Sequence, residues 1–427
     1  MKILFFSENF PPETNAAATR VYERACYWIK AGHDVTVITQ APNFPYGKIF
    51  KGYRNRLRAV EEMGGIRVVR VKTFMASNSG VILRTIDFLS FMLSGILAGL
   101  FEKKPDVVIS TSPQFFAAVA GWFVGKMRRI PFVFELGDLW PASIVAVGAM
   151  GQGFLLRLVE KLELYLYRSA ACVVALTPAF KKNLIGRGID AGKIAVVING
   201  VDLPRYRPVP RDREFAEKLW LTRNFVVGYV GTLGMAHGLE NVLAAAHHAR
   251  EEPNMRFLFA GPGAVRERLM KLADEEELGN VVFLAPQPKE KVPAVWSLCD
   301  VALVHLKDLP VFAEVIPSKI FEAMAMGLPI LLIAPKGDAT AIVEADEAGL
   351  IVPPEDPGAL ADAAIRLARD SALRKTLAEN ALSAAARHSR EHQANQMMAA
   401  ITAAAEGRGA EAGARVDAVR PPKAPAR

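Results

Sequence analysis

Short apolar runs alternate with longer amphipathic stretches along this chain, and the pattern occurs twice. Residues 2–7, 34–39, 107–110, 131–134 and 172–176 read as strands. A helix over residues 17–31 ends at Gly32. After a Pro/Arg-rich stretch at residues 201–213 the pattern restarts. Strands are expected at 225–229, 257–260, 281–284, 301–304 and 329–333, with a helix at 238–250. Apolar strands separated by such helices imply βαβ units and parallel sheets, so two α/β halves joined near residue 200 are expected. Residues 356–388 and 391–406 are Ala-rich and helical in pattern. Residues 407–427 are rich in Gly, Ala, Pro and Arg without apolar periodicity, and are expected to be disordered.

At roughly 150 residues per domain, 427 residues make two or three domains. A chain that is 51% hydrophobic and 22% charged is not a disordered one. Cys26, Cys172 and Cys299 are scattered and odd in number, which excludes a disulfide scaffold and fits a reducing compartment. The apolar run at residues 3–6 is too short for a signal-peptide core. The uncharged stretch at residues 88–101 would be about 21 Å long as a helix, against a hydrocarbon core of about 30 Å. Residues 107–125 are interrupted by Ser110-Thr111-Ser112-Pro113-Gln114, a strand, polar turn and helix. No transmembrane span is expected. Residues 88–101 are apolar almost all round, so they form either a core helix or one that dips into a membrane interface.

The formal net charge of +8 is uneven. Residues 1–200 hold 25 Lys and Arg against 14 Asp and Glu; the rest hold 27 against 30. A basic half points to an anionic partner. No basic run is interleaved with aromatics, so a membrane surface or phosphorylated substrate fits better than nucleic acid. Arg54, Arg56, Arg58, Arg67, Arg70, Lys103, Lys104, Arg128 and Arg129 all lie in that half.

In doubly wound sheets, ligands sit beyond the carboxyl ends of strands. The first strand–helix turn, from Glu8 through Pro11-Pro12 and Asn15 to Ala17-Ala18-Thr19-Arg20, is not a dinucleotide fingerprint. Its small residues still let an anion approach a helix N-terminus, with Arg20 one turn further in; otherwise it is an ordinary loop with a solvated arginine. Gly231-Thr232-Leu233-Gly234-Met235-Ala236-His237-Gly238 is a second such turn. The richest segment is Glu314-Val315-Ile316-Pro317-Ser318-Lys319-Ile320-Phe321-Glu322-Ala323-Met324-Ala325-Met326-Gly327-Leu328-Pro329. Pro317-Ser318 opens a helix, with Ser318 as cap or first-turn residue. Lys319 and Glu322 then share a face. The lysine suits a phosphate and the glutamate suits vicinal hydroxyls; alternatively they are a surface ion pair.

That segment resembles the signature of family-four retaining glycosyltransferases, Leloir enzymes of the B fold. Also similar, in the same order, are Asn9-Phe10-Pro11-Pro12-Glu13, the run from Lys30 to Thr39, Glu135-Leu136-Gly137-Asp138-Leu139-Trp140-Pro141, Ile198-Asn199-Gly200-Val201-Asp202 and Val230-Gly231-Thr232-Leu233-Gly234. The likeness covers about residues 1–400. It points toward bacterial O-antigen, capsule and exopolysaccharide transferases, including N-acetylfucosamine transferases. It implies two Rossmann-like, doubly wound domains facing across a cleft: residues 1–200 toward acceptor and membrane, and 201–386 for a nucleotide sugar. Residues 387–406 would form a helix crossing back to the first domain.

The resemblance also implies roles. Glu322 would hold the donor ribose and Lys319 its diphosphate, with Gly231, Thr232, Gly234, His237 and Ser318 on the donor side. Glu314 would sit against the sugar and Asp138 near the anomeric carbon, as the catalytic candidates. Asn15, Ala17 and Arg20 would line the acceptor or phosphate side. Many relatives carry Arg and Lys in the second-half phosphate turn, where Leu233 and His237 occupy the nearby positions, and close relatives often have Arg in place of Gly137. Asp138 also reads as a cap before Trp140-Pro141.

No metal or other cofactor is expected. No two aspartates are two residues apart, so a D-x-D metal pattern is absent. His247-His248 and the pair His388 and His392 read as solvated or core histidines. The expected partners are a nucleotide-sugar donor, with a UDP-sugar expected, and a polyprenyl-diphosphate-linked acceptor, at the cytoplasmic face of the cell membrane. Two rivals remain: a nucleotide-sugar 2-epimerase of related architecture, and a non-catalytic membrane-associated scaffold.

Overall fold

Near-continuous apolar strands mark a sheet covered on both faces, and two such sheets organise this chain. The computed structural model describes residues 1–44, 47–75, 81–112, 114–139 and 154–422. Pro113, Trp140 and Pro141, named above, lie outside the described residues. The chain divides into two units, Met1–Asn199 with Arg390–Arg420, and Gly200–Ser389.

The sheet of the first unit contains β1 (Lys2–Phe6), β2 (Asp34–Gln40), β3 (Arg58–Met63), β4 (Ile66–Val71), β5 (Val107–Thr111), β6 (Phe132–Leu136), β7 (Cys172–Ala175) and β8 (Ile194–Val196). Its order is β3-β4-β2-β1-β5-β6-β7-β8, parallel throughout except for β3. The β3–β4 hairpin, closed at Gly64-Gly65, goes unread in the sequence. Its charged, half-exposed outer strand has no apolar run. Side chains alternate with period two. Ile3 and Phe5 join the core beneath α1 (Ala16–Lys30), whereas Leu4 and Phe6 join the opposite core beneath α2 (Val81–Phe101) and α3 (Phe115–Arg128). The amphipathic helix α4 (Phe154–Ser169) packs beside α3, with Tyr165 edge-on to Trp122 at 5.5 Å.

Helix α2 is longer than the uncharged stretch suggests, because Arg84 and Asp87 fall within its first turns. Phe91 is fully buried, and a Cβ at Gly99 would stand 2.7 Å from the Phe6 ring. On the other face Leu93 and Leu97 are each 60% exposed and Phe101 is 85% exposed. Its stretch Leu83–Phe101 is long and apolar enough to cross a membrane by length and composition. The two readings of this segment divide between its faces: one is core, the other an apolar surface.

The second unit holds β9 (Phe225–Val230), β10 (Met255–Ala260), β11 (Val281–Leu284), β12 (Val301–His305), β13 (Ile330–Ile333) and β14 (Gly349–Val352). The order β11-β10-β9-β12-β13-β14 is wholly parallel. It is the doubly wound nucleotide-binding order, with its switch point between β9 and β12. Helix α5 (Lys319–Met326) follows β12 and buries Ile320, Phe321 and Met324.

After Ser389 the chain returns to the first unit. Helix α6 (Arg390–Ala405) lays Ala394, Met397 and Ile401 into the Ile3/Phe5 core, and the Trp28 indole donates to the Ala394 carbonyl at 3.0 Å. Within the segment expected to be disordered from residue 407 onward, residues 409–417 instead fold into a 3₁₀ turn at Gly409–Glu411 and a helix α7 (Ala412–Asp417). Ala412 and Val416 are fully buried with Ala195 and Val197. A Cβ at Gly409 would stand 1.9 Å from the Ala171 carbonyl oxygen, so close backbone approach requires the glycine. Small residues that read as disorder here serve backbone packing.

Candidate active site

In the second unit the site grows from the carboxyl ends of β9 and β12. Gly231 leaves β9 with φ +138° and donates its N–H to the Ala260 carbonyl at 2.8 Å. A Cβ there would lie 2.3 Å from Lys319 Cε, and one at Gly261 would lie 2.1 Å from the Gly231 carbonyl oxygen. L side chains rarely adopt this backbone at either position; at Gly261 the neighbouring backbone leaves no space for a Cβ, and at Gly231 a Cβ would displace the lysine arm. Leu233 is fully buried. Its N–H donates to Pro262 O at 2.7 Å.

His237 ends the turn. Its Nδ1 lies 3.2 Å from the His305 carbonyl oxygen, which only accepts, so Nδ1 carries the proton and Nε2 a lone pair. Burial, with the nearby Lys319, holds its pKa down to about 4. His237 is therefore a neutral acceptor at pH 7 and does not replace a phosphate-binding cation. The loop after β12 is tied to the same turn, Lys307 N–H donating to Ala236 O at 3.1 Å.

Lys319 opens α5. Its ammonium stands 4.6 Å from the centroid of the Tyr229 ring, and burial lowers its pKa to about 8 against the opposing pull of Glu322. Glu322 makes no ion pair with it. Trp296 Nε1–H donates to Glu322 Oε2 at 3.2 Å, and the Tyr206 hydroxyl bonds the same carboxyl, whose pKa burial raises. The shared face thus holds a cation and a carboxylate with separate partners, not a surface ion pair. Ser318 takes the cap position but makes no side-chain cap bond, and it is exposed. Glu314 ends the 3₁₀ turn Pro310–Glu314, partly exposed, with no side-chain hydrogen bond among the described residues. Thr232 is exposed, and its carbonyl accepts from the buried Tyr229 hydroxyl at 2.8 Å.

In the first unit, Asn15 caps α1, accepting from Ala18 N–H at 2.9 Å, and Ala17 lies in the first turn. Arg20 is not solvated: it is 6% exposed, donates to Thr111 Oγ1 at 3.0 Å and lies 3.4 Å from Glu135 Oε1. Arg24, fully buried, meets the same oxygen at 2.6 Å. Burial alone would raise the Glu135 carboxyl; Arg24 and Arg20 instead hold it down to about 2. Two cations on one carboxylate leave a net positive interior at the carboxyl ends of β5 and β6. Asp138 follows β6, its backbone and that of Gly137 donating to Ser112 Oγ at 3.3 and 2.7 Å. A Cβ at Gly137 would lie 3.2 Å from Arg20 Nη2. The guanidinium of Arg20 thus borders the place where a side chain at 137 would begin, which the Ser112 carbonyl oxygen 2.5 Å away already blocks.

The sequence misses Tyr229, Trp296, Tyr206 and His305. Each lies apart from the motif; for Tyr229, Trp296 and His305 the only signal is an aromatic or polar residue in an apolar stretch, and Tyr206 sits in the Pro/Arg-rich stretch with no such signal. Among the described residues no three His, Cys, Asp or Glu side chains gather to hold a metal.

Residues 210–384 match the model of glycosyl transferases group 1, and residues 15–200 match that of the glycosyl transferase 4-like domain. The chain belongs to the family-four glycosyltransferases of the B fold. The transferase is 27% identical over 338 residues to the putative colanic acid biosynthesis glycosyl transferase WcaI of Escherichia coli, covering 77% of this chain and 82% of that one. It is 28% identical to the probable glycosyltransferase WbjE of Pseudomonas aeruginosa, over 61% of this chain and 65% of that protein. The crystal structure of Anabaena HepE in complex with UDP shares the fold, with a TM-score of 0.70 at 21% identity over 93% and 98% of the two chains.

Proposed function

We propose that the transferase moves a sugar from a UDP-sugar to a lipid-linked saccharide acceptor in bacterial surface polysaccharide synthesis, retaining anomeric configuration and using no metal. The observation that carries this reading is Lys319, a half-buried ammonium with no ion pair among the described residues, beside the Gly231 turn at the switch point of a Rossmann-like sheet. Breaking the anomeric C–O bond puts negative charge on the leaving diphosphate. A fixed cation in a partly dehydrated setting stabilises that charge more than water does. Glu322, oriented by Trp296 and Tyr206, suits the two ribose hydroxyls. Glu314 suits the donor sugar and Asp138 the anomeric region, where carboxylates favour an oxocarbenium-like state. The net positive cluster around Arg20 suits the phosphate side of the acceptor. WcaI is named for colanic acid biosynthesis and HepE is seen with UDP, which supports the pathway class and the base.

The membrane-facing surface in this reading is the outer side of α2, α3 and α4. Leu93, Leu97 and Phe101 continue toward Met127, Leu158 and Leu162, all exposed, with Lys126, Arg128 and Arg129 beside them. Each basic side chain near an anionic leaflet contributes about 1 kcal/mol. The enzyme then works at the cytoplasmic face of the cell membrane.

Calorimetric titration with UDP and GDP, without metal, tests the donor site. Micromolar binding of one nucleotide, lost in Glu322→Ala, supports it. Turnover of the donor with inversion at C2 and no acceptor would favour the epimerase. Vesicle binding without any nucleotide binding would favour the scaffold.

A further inference from the structure

A core aromatic next to a ligand turn is most simply filler, and the rings in line with Tyr229 on β10 and β11 are indeed phenylalanines. Phe259 pairs with Tyr229 across β9 and β10, and the Phe259 ring stacks on Phe283 at 5.1 Å. Tyr229 differs from them by a hydroxyl that it buries at 1% exposure. Burying a hydroxyl is unfavourable unless it is bonded, and this one donates to the Thr232 carbonyl at 2.8 Å, inside the Gly231–Gly234 turn. Burial also pushes the phenol well above its ordinary pKa, so it stays a donor at any working pH. The face of the same ring carries the Lys319 ammonium at 4.6 Å from its centroid.

Resting on the reading of Lys319 as the diphosphate cation, we infer that Tyr229 is a positioning residue that sets both halves of the diphosphate site, its ring face holding the ammonium and its hydroxyl holding the turn. The choice of partner matters. A carboxylate beside Lys319 would cancel its charge and would have to be displaced by the ligand. An aromatic face stabilises a cation without neutralising it. Glu322, the nearest candidate to cancel the charge, is instead occupied by Trp296 and Tyr206. The missing Cβ of Gly231 lets the lysine arm pass over the turn to reach the ring. Lys319 is thereby held charged, placed and open to an anion.

The two contacts separate by substitution. Tyr229→Phe keeps the ring and removes the hydroxyl; Tyr229→Leu removes both. The measurement is UDP affinity by calorimetry from pH 7 to pH 10, above the phosphate's own titration near 6. In the wild type, affinity declines as Lys319 loses its proton. Tyr229→Phe should weaken binding about 3- to 10-fold, the loss of one hydrogen bond, with the alkaline midpoint unmoved. Tyr229→Leu should shift that midpoint toward acid by roughly half to one pH unit, the loss of a cation–π contact. A purely structural role would lower thermal stability without moving the midpoint. An unmoved midpoint in Tyr229→Leu, or wild-type affinity in Tyr229→Phe, overturns the inference. Lys319→Met distinguishes the underlying reading. If that variant binds UDP as tightly as wild type, Lys319 is not the diphosphate cation and the whole assignment falls.

Discussion

Replacing Gly231 by alanine tests the packing of the donor turn in a way that a single variant does not. The new Cβ would stand 2.3 Å from Lys319 Cε and 3.0 Å from its Nζ. Carbon atoms rest at about 3.5–4.0 Å, so the lysine arm must withdraw by about 1 Å or more. Independently, φ +138° is a backbone region that L residues occupy only with strain, about 1–3 kcal/mol. The two costs are separable in a double-mutant cycle with Lys319→Ala. In the wild-type background Gly231→Ala should cost about 2–4 kcal/mol of the second unit's stability, the sum of backbone strain and steric conflict. With Lys319 truncated the conflict vanishes and only the strain remains, so the cycle should give a coupling of about 1 kcal/mol or more. Urea denaturation of the four proteins measures the stabilities, and calorimetry with UDP measures the ligand side. Gly231→Ala alone should lose at least tenfold in affinity, because the displaced ammonium leaves its seat over Tyr229. Equal costs of Gly231→Ala in both backgrounds would refute the reasoning: the lysine would then not pass where the structure puts it.

Other expectations follow from particular contacts. Wild-type UDP affinity should fall about tenfold between pH 7 and pH 9, since an amine lowered to about 8 is charged below that value and loses its proton above it; a flat profile, read by calorimetry, would contradict the buried lysine. Glu135 is depressed to about 2, so its contribution is present above the ordinary carboxylate range and lost as pH falls toward 2; the acid-unfolding midpoint of the first unit should become less steep in Glu135→Gln. Arg24→Met should cost about 3–5 kcal/mol on denaturation, because it breaks a fully buried ion pair. Leu93→Glu with Leu97→Glu should abolish sedimentation with anionic vesicles while leaving UDP affinity unchanged; persistent vesicle binding would move the membrane contact elsewhere. Ending the chain at residue 407 should lower thermal stability by several degrees, read by calorimetric melting, because Ala412 and Val416 leave the core.

Strands buried on both faces are legible as sequence because their apolar runs are unbroken, and the two sheets follow from them. The β3–β4 hairpin is not, because a half-exposed antiparallel edge strand such as Arg-Ala-Val-Glu-Glu-Met carries no such run. The tail at residues 409–417 is hidden for a different reason: glycine and alanine signal disorder by composition, yet here they are what allows backbones to meet. Lys319 and Glu322 stand out as one helix face. Their partners Tyr229, Trp296 and Tyr206 come from distant segments, which local spacing does not reveal. The sequence likewise does not tell that Leu233 points inward and Arg20 is buried, since both depend on which way a turn or helix faces its sheet.

The return of α6 to the first unit carries a consequence for how the protein is made. Residues 200–389 are contiguous and can fold as soon as they clear the ribosome. The first 199 residues, although synthesised earlier, must wait, with Ile3, Phe5 and Trp28 lacking the cover of Ala394, Met397 and Ile401 until residues 390–405 have been synthesised. Domains generally mature in the order of synthesis; here the later one finishes first. During that interval the exposed apolar face of the amino-terminal sheet is the part of the nascent chain most in need of a chaperone.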